Sequence, residues 1–425
     1  MKAWTQTRLR YVADINPAVR ADLLAAQDTA VSFLPMEAIG EDGSLDLERT
    51  RPVAEVRNGY SYFEDGDVAF AKVTPCFENG KGALMRGLEH RAGFGTTEIT
   101  VLRPKSNTDP RYLHYILQGE RFRQLGAGAM TGAGGLKRVP DEFTRDFSVE
   151  WPKPAEQAAI ANFLDKQTAR IEALIAAKVQ LLTSLEEFYL STLHKCVSSG
   201  LTASTPSSTG DEWFPNLPDR WSFCALNYRY EIQLGKMLDE RQQTGESRMP
   251  YLRNIDVRWD RIDTDALPTM DVWPEDRERY TVRTGDLLVC EGGVGVGRAA
   301  IWNGPDNRIA FQKALHRVRP RSDADLPRFL FYLMRDCVWR DRVGAQEKAT
   351  IPHLTAEAFR RWRFPFPPRH EQREIMRFLD EMSVRTHELS THCQTHIDRL
   401  HEYRSSLISA AVTGQLDIGT FKAAA

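Results

Sequence analysis

Apolar side chains return every three or four residues along two long stretches of this chain, from Pro154 to about Ser199 and from Pro368 to Gly414. That spacing predicts two long helices, each with a narrow apolar stripe that packs lengthwise against another helix. No glycine or proline interrupts the first stretch between Ala155 and Ser199. The residues expected in the seam between the helices are Ile160, Phe163, Leu164, Ile171, Leu174, Leu181, Leu185, Ile375, Phe378, Leu379, Met382, Leu389, Ile397, Leu400 and Leu407.

The two halves of the chain carry the same landmarks in the same order. Glu156 and Glu371 stand the same 215 positions apart as Asp165 and Asp380. Between these landmarks the two copies differ freely. We therefore predict a tandem duplication of one domain followed by one long helix. Further matching pairs are Gly66-Asp67 with Gly285-Asp286, Arg103-Pro104 with Arg319-Pro320, and Tyr112-Leu113 with Phe329-Leu330.

Short apolar or alternating segments bounded by turn residues predict strands within each domain, as in Val68–Ala71 after Gly66-Asp67. The expected fold class is mixed α/β (α+β), with two tandem globular domains joined by two long helices that form an antiparallel coiled coil. The glycine-rich run 126–135 is predicted to be a flexible loop. The expected boundaries are 1–153 for the first domain, 154–200 for the first helix, 201–218 for a linker, 219–366 for the second domain, 367–414 for the second helix and 415–425 for a tail.

The composition indicates the cellular compartment of the protein but says less about its function. The chain has 425 residues, a formal net charge of −2 and 42% hydrophobic residues, which suits several buried cores. It has no apolar run of membrane-spanning length, its polar N-terminus lacks a signal-peptide core, and its six cysteines stand far apart, so we expect a cytoplasmic protein with reduced thiols. Arginine outnumbers lysine 43 to 13, which suits phosphate and guanine recognition but equally reflects a GC-rich genome.

Four motifs carry a family resemblance. Residues 367–380 read Pro-Pro-x-x-Glu-Gln-x-x-Ile-x-x-Phe-Leu-Asp, and the first helix opens with Pro152-Lys153-Pro154-Ala155-Glu156-Gln157, which departs from this motif by one proline position. The stretch Val412-Thr413-Gly414-Gln415-Leu416 closes the second helix, and Ser199-Gly200-Leu201 is a shorter counterpart after the first. Together with Gly285–Val289 and the turn Thr350-Ile351-Pro352-x-Leu354, these motifs make the whole chain resemble a type I restriction-modification specificity (S) subunit.

The resemblance implies a function without chemistry of its own. Each of two target recognition domains would bind one half of a split double-stranded DNA sequence. The helices would dock two DNA adenine methyltransferase subunits, and restriction subunits that translocate and cleave would join the complex. S-adenosylmethionine would then belong to the methyltransferase, and ATP and Mg to the restriction subunit. The helix-opening Glu156 and Glu371 are expected to be structural, because a carboxylate is favoured at a helix N-terminus.

Enzymatic readings find little in the residues. Gly292–Gly297 suggests a dinucleotide loop, but Arg298–Trp302 after it reads as a strand and not as the helix that would hold a pyrophosphate. The four histidines on the second helix, His387, His392, His396 and His401, are expected to face solvent. Two alternative hypotheses stay open: a single-chain nuclease with a fused coiled coil, and a structural scaffold without DNA binding.

The candidates for DNA contact are polar and basic loop residues. Basic side chains would position phosphates, while Gln, Thr and some Arg would contact base edges. In the first domain they are Lys72, Thr74, Lys81, Thr97, Lys137 and Arg138, and in the second Arg298, Gln312, Lys313, Lys348 and His353.

Overall fold

The computed structural model describes residues 4–133, 135–238, 244–343 and 353–421. The helices are α1 (Leu9–Val12), α2 (Ala21–Ala25), α3 (Val53–Val56), α4 (Pro110–Gln118), α5 (Glu120–Ala129), α6 (Asp141–Asp146), α7 (Pro154–Ser199), α8 (Leu226–Arg229), α9 (Arg277–Tyr280), α10 (Pro327–Trp339), α11 (Ala356–Arg361) and α12 (Arg369–Val412). No helix among these residues is both long and apolar enough to cross a membrane.

The strands are short and fall into two groups. Those before α7 are β1 (Thr5–Arg8), β2 (Ala13–Ile15), β3 (Ala30–Leu34), β4 (Thr50–Pro52), β5 (Ser61–Glu64), β6 (Val68–Ala71), β7 (Gly82–Leu84), β8 (Ala92–Gly95), β9 (Ile99–Pro104) and β10 (Ser148–Trp151). Those after α7 are β11 (Pro206–Ser208), β12 (Asn216–Pro218), β13 (Ser222–Ala225), β14 (Tyr230–Leu234), β15 (Arg248–Leu252), β16 (Val257–Arg258), β17 (Arg261–Ile262), β18 (Thr269–Asp271), β19 (Leu287–Cys290), β20 (Ala299–Ile301), β21 (Ala310–Phe311), β22 (Leu315–Pro320) and β23 (Arg363–Phe366).

The chain divides into two compact units, and each contains one mixed domain with a part of both long helices. Unit 1 comprises Met1–Val179 and Cys393–Ala425, and unit 2 comprises Gln180–His392. The C-terminal part of α12 therefore belongs to the unit of the N-terminal domain. This exchange of helix ends follows from antiparallel pairing, which places the end of one helix beside the start of the other.

Unit 1 is built on two four-stranded sheets, with strand orders β2-β9-β6-β7 and β4-β3-β8-β5, and on the separate antiparallel pair of β1 and β10. Alternate residues of β3 serve different cores, as the pleat of a strand requires. Leu34 packs with Phe63 and Ile99, while Val31 and Phe33 belong to the second cluster. The sheets thus enclose two adjoining cores.

Unit 2 repeats the first of these sheets with strand order β14-β22-β19-β20. Asp14 pairs with Arg103 in the register of unit 1, and Glu231 pairs with Arg319 in unit 2. Both arginines also hold the buried aspartate of the Gly-Asp landmark by two hydrogen bonds, at 2.8 and 2.7 Å to Asp67 and at 2.7 and 2.8 Å to Asp286. These bonds raise the pKa of each arginine. The predicted duplication is confirmed at the level of individual contacts.

The Phe-Leu-Asp block fastens each long helix to its domain. In unit 1 the carboxylate of Asp165 accepts hydrogen bonds from Arg111 Nη1 and Tyr115 Oη, both at 2.8 Å. The partners of Asp380 in unit 2 are the equivalent side chains, Arg328 Nη2 at 2.6 Å and Tyr332 Oη at 2.5 Å. A charge-assisted contact that occurs in both copies explains why this landmark stands at the same place in both.

The glutamine of the helix-opening motif closes the same junction. Gln157 Nε2 donates to the carbonyl of Pro152 at 2.9 Å, and its Oε1 accepts from the amide of Asp109 at 2.9 Å. Gln372 does the same with Pro367 at 2.8 Å and Leu326 at 3.0 Å. Each buried glutamine thereby satisfies backbone groups that the helix start and the neighbouring loop would otherwise leave unpaired.

The helices pair in antiparallel fashion within each unit. In unit 1, Glu172 Oε1 lies 2.9 Å from Arg404 Nε, whereas Lys178, further along α7, lies 3.2 Å from the earlier residue His396. In unit 2, Leu193 shares one core with Ile375 and Leu379 near the start of α12.

The expected seam is only partly correct. Ile160, Leu164, Ile171, Ile375, Leu379, Ile397 and Leu407 are buried, and Phe163, Leu185, Met382 and Leu400 are half-buried. Four residues are instead exposed: Leu174 (46%), Leu181 (56%), Phe378 (42%) and Leu389 (57%). The physical reason is that a single partner helix covers only a narrow stripe, so apolar residues outside that stripe stay open.

Two loop predictions were wrong. Residues 201–218 are not a free linker, because β11 pairs with β12 and Phe214 and Leu217 are buried in the core of unit 2. The first part of the glycine-rich run is helical, since α5 continues to Ala129. Gly126 is buried there, and a larger residue would not fit because a Cβ at this position would lie 2.4 Å from Cζ of Phe77.

Candidate nucleic-acid interface

In unit 1 three separate segments meet at one edge of the sheet. The amide of Lys72, just after β6, donates to the carbonyl of Glu98 at 2.8 Å, and its own carbonyl accepts from Val139 at 2.8 Å. The amide of Thr74 donates to the carbonyl of Lys137 at 3.0 Å. Five of the six predicted DNA-contact residues of this domain therefore lie together, and we call them edge 1: Lys72, Thr74, Thr97, Lys137 and Arg138.

The charges of edge 1 are not all available. Arg138 holds Glu98 through two hydrogen bonds, at 2.8 and 2.5 Å, and this contact lowers the pKa of the Glu98 carboxyl. Lys137 is exposed and Lys72 is half-buried. Within the part of the chain that the structure describes, neither ammonium forms a side-chain hydrogen bond or salt bridge. The two ammonium groups are thus not held by a bond within the domain, although Lys72 lies close enough to Glu98 to help lower the pKa of its carboxyl.

Lys81, the sixth candidate, has a structural contact. Its ammonium donates to the carbonyl of Met36 at 2.9 Å, and its carbonyl accepts from the amide of Ala71 at 2.8 Å. The side chain is therefore committed within the domain, which distinguishes it from Lys72 and Lys137.

Unit 2 forms the same junction from equivalent segments. The amide of Glu291, just after β19, donates to the carbonyl of Ala314 at 2.9 Å, and its carbonyl accepts from Leu354 at 2.6 Å. Lys313 donates to the carbonyl of Lys236 at 3.0 Å. We call the polar residues of this junction edge 2: Lys236, Glu291, Gln312, Lys313 and His353. The remaining candidate Lys348 lies outside the described residues.

Arg298 turns back onto the glycine-rich segment. Its Nε lies 3.5 Å from the carbonyl of Gly295, and a Cβ on that glycine would come within 2.4 Å of the guanidinium carbon. The glycine therefore makes room for the arginine. Strand β20 follows at Ala299, so the strand predicted after the glycine-rich segment is confirmed.

The two edges share a frame and differ in side chains. An isolated bridge joins Val73 to Arg138 in edge 1, and the equivalent bridge joins Gly292 to His353 in edge 2. The backbone bonds of Lys72 and Glu291 match one to one. The structure thus places different chemical groups on identical backbone positions.

Sequence reasoning missed two polar residues of edge 2, Lys236 and Glu291, and a third beside it, Asn254. Lys236 Nζ pairs with Asp276 at 2.7 Å, and Asn254 Nδ2 donates to the carbonyl of Gly292 at 2.6 Å. Burial raises the pKa of Glu291, although Lys313 and His353 nearby act in the opposite direction. The offset that relates Gly66 to Gly285 also relates Lys72 to Glu291, so alignment of the copies would have found the last of these.

Among the described residues there is also no metal site. No group of three or more His, Cys, Asp or Glu side chains there is arranged to hold a metal ion. The six cysteines are free, and His387, His392, His396 and His401 are exposed along α12.

Comparisons with known proteins agree with the family resemblance found in the sequence. Residues 230–399 match the family described as Type I restriction modification DNA specificity domain. The chain is 33% identical over 246 residues to the EcoEI specificity subunit of Escherichia coli, which is 57% of this chain and 39% of that protein. It is 36% identical over 186 residues to the EcoAI specificity subunit of Escherichia coli, 43% of this chain and 30% of that protein. These matches span well under half the length of the two relatives.

Solved structures share the fold. The HsdS subunit from Thermoanaerobacter tengcongensis superposes with a TM-score of 0.54 at 17% identity, covering 97% of both chains. A chain from a structure of the type I R-M system, concerned with complex assembly and conformational transition, gives 0.77 at 19% identity, covering 97% of this chain and 98% of that one. Tandem mixed domains on two long antiparallel helices define this fold class. Residues 230–399 carry a type I restriction-modification DNA specificity domain, and the whole chain is similar in fold to type I specificity subunits.

Proposed function

We propose that this chain is the DNA sequence-specificity subunit of a type I restriction-modification complex. Its two domains are target recognition domains, and each binds one half of a bipartite double-stranded target. The observation that carries the proposal is the pair of edges. Edge 1 and edge 2 hold the same backbone frame, bounded by the same strands, with different polar side chains. A duplicated frame with divergent contact residues is what two readers of unlike sequences require.

The make-up of each edge supports contact with DNA. Exposed Lys137 and Lys313 provide charges for phosphates, while Gln312 and Thr97 supply groups that hydrogen-bond base edges. Exposed Leu136 and Ile255 add apolar surface, which is suited to contact with thymine methyl groups. The net charge of −2 is compatible with this, because only the local field at the contact surface matters.

The long helices supply the docking surface for protein partners. Large apolar side chains stay exposed on them in both units, including Leu174 in unit 1 and Leu181, Phe188 and Leu389 in unit 2. Such side chains mark interaction sites on a helix surface. Two DNA methyltransferase subunits bind here, and restriction subunits join through them. S-adenosylmethionine belongs to the methyltransferase and ATP with Mg to the restriction subunit, so this cytoplasmic chain performs no chemistry.

The test is a map of methylated adenines in cells that express this chain with its methyltransferase. The expected result is a split motif, with two short specified halves around a gap of fixed length and free sequence. Exchange of residues 1–150 for another recognition domain should then change one half only.

The same experiment separates the alternatives. Methylation at an undivided site, or methylation independent of this chain, would contradict the proposal. A scaffold without DNA contact predicts no salt-dependent binding to duplex DNA. A single-chain nuclease predicts metal-dependent cleavage by the purified chain alone, and the described residues offer no cluster of metal ligands for it.

A further inference from the structure

One backbone position at the candidate interface carries opposite charges in the two units. Lys72 and Glu291 are both the first residue after a fully buried strand, β6 or β19. Each donates its amide to the segment that begins the next paired strand and accepts from the segment that precedes α6 or α11. The backbone of both residues is therefore held from two sides, and only the side chain differs.

Both side chains are half-buried and have no committed partner. Within the described ranges neither Lys72 nor Glu291 forms a side-chain hydrogen bond or salt bridge. The neighbour of Lys72 is Glu98, which Arg138 already holds, and the neighbours of Glu291 are Lys313 and His353. A partly desolvated charge that has charged neighbours but no side-chain hydrogen bond can still bind a polar group from outside.

The presence of Glu291 argues that the position shared by Lys72 and Glu291 does not serve to contact phosphate. A carboxylate repels phosphate, so Glu291 cannot serve the DNA backbone. It can accept a hydrogen bond from the N4 amino group of cytosine, and a lysine in the same place can donate to O6 and N7 of guanine. The two charges therefore suit the two members of one base pair.

We infer that Lys72 and Glu291 are specificity-determining residues that contact a G·C pair at the equivalent place in each half-site, Lys72 at the guanine and Glu291 at the cytosine. This inference rests on the proposed function. It adds that both half-sites contain a G·C pair at this position and that the pair has opposite orientation relative to the domain that reads it.

The test compares the methylated motif of the full complex carrying wild-type chain, Glu291→Lys or Lys72→Glu. Glu291→Lys should replace cytosine by guanine at one position of the half-site read by unit 2, with selectivity against the original pair of roughly five- to hundred-fold. Lys72→Glu should make the converse change in the other half. Asp323→Lys reverses the charge of an exposed carboxylate beyond the opposite end of β22 and should leave the motif unchanged.

The possible outcomes distinguish failure of this inference from failure of the proposed function. An unchanged motif in Glu291→Lys overturns the inference and leaves the two-reader function standing. Uniform weakening at all sites in an assembled Lys72→Glu complex would make Lys72 a phosphate contact and would also overturn it. An undivided wild-type motif would instead defeat the proposed function. If the Glu291→Lys complex fails to assemble, Glu291→Gln provides the test. The amide of glutamine can bond adenine, so the variant should accept an A·T pair at this position. Full retention of the wild-type motif in Glu291→Gln would contradict the inference.

Discussion

The guanidinium of Arg220 holds the carboxylate of Glu371 by two hydrogen bonds, Nε to Oε2 at 3.0 Å and Nη2 to Oε1 at 2.8 Å. Gly200, just past the end of α7, lies beside this pair with a φ of +77°, and a Cβ there would meet Glu371 Oε1 at 2.8 Å. One carboxylate thus joins the end of the first helix, the start of the second and the segment that leads into the second domain. This supports the structural role expected for the helix-opening glutamate.

Removal of either partner should destabilise unit 2. Glu371→Ala leaves Arg220 without its main partner, and the expected cost is about 1–3 kcal/mol of unfolding free energy. Urea denaturation of Glu371→Ala, Arg220→Ala and the double variant measures the coupling between the two. If the double variant costs the sum of the single ones, the pair contributes no interaction energy and the prediction is wrong. Glu374→Ala, an exposed glutamate on the same helix, is the control.

The same substitution at two glycines of α5 should have opposite effects. Gly126→Ala places a methyl group 2.4 Å from Phe77 and should destabilise the chain by about 1–3 kcal/mol. Gly128→Ala meets nothing within 4 Å and should stabilise it by roughly 0.5–1 kcal/mol, because alanine favours the helix. Thermal unfolding of both variants provides the comparison. Equal shifts of Tm in one direction would show that this segment is not a packed helix.

His316 makes unit 2 sensitive to acid. Its Nε2 lies 2.7 Å from the carbonyl of Leu354, to which it donates, its Nδ1 is buried without a partner, and burial lowers its pKa to about 4. Because the folded pKa lies below the unfolded value of about 6.5, the unfolded state binds the proton first. The stability contributed by neutral His316 is present above pH 6.5 and is lost as the pH falls toward 4, by up to about 3 kcal/mol.

His316→Gln should remove this part of the acid sensitivity while it keeps a side-chain donor. The measurement is the free energy of unfolding at pH 7 and pH 4.5 for the wild type and the variant, since other groups titrate equally in both. His387→Gln, on the exposed face of α12, should behave as the wild type. An identical pH slope in His316→Gln and the wild type would contradict the assignment.

Features that depend on local or repeated sequence patterns were predictable, whereas contacts between segments far apart in the chain were not. Landmarks such as Asp165 and Asp380, or Asp67 and Asp286, repeat because each holds a partner that is repeated too, so their roles follow from comparison of the two copies. The long helices follow from periodicity alone. The exposed Leu174 was not predicted, because heptad spacing shows which residues are apolar but not how much of the helix one partner covers.

Edge 1 and edge 2 show what sequence patterns cannot predict, namely which side chains become neighbours in the fold. Lys72, Glu98 and Arg138 become neighbours only through strand pairing over long stretches of chain, and no local pattern shows this. Lys81 resembles Lys72 as a sequence feature, yet its ammonium is bound by the carbonyl of Met36. The type of residue predicted a contact surface, and only the fold distinguishes an available lysine from a committed one.

The two exposed lysines at the edges, Lys137 and Lys313, should act on DNA affinity without changing sequence preference. Lys137→Ala in edge 1 and Lys313→Ala in edge 2 each remove one phosphate contact, so binding should weaken for all duplexes alike. The slope of log K against log salt should become shallower by about one for each substitution. Fluorescence anisotropy with a target and a scrambled duplex, over a series of salt concentrations, measures both quantities. Lys153→Ala, exposed just before α7, is the matched control, and a loss confined to the target duplex would assign these lysines to bases instead of phosphates.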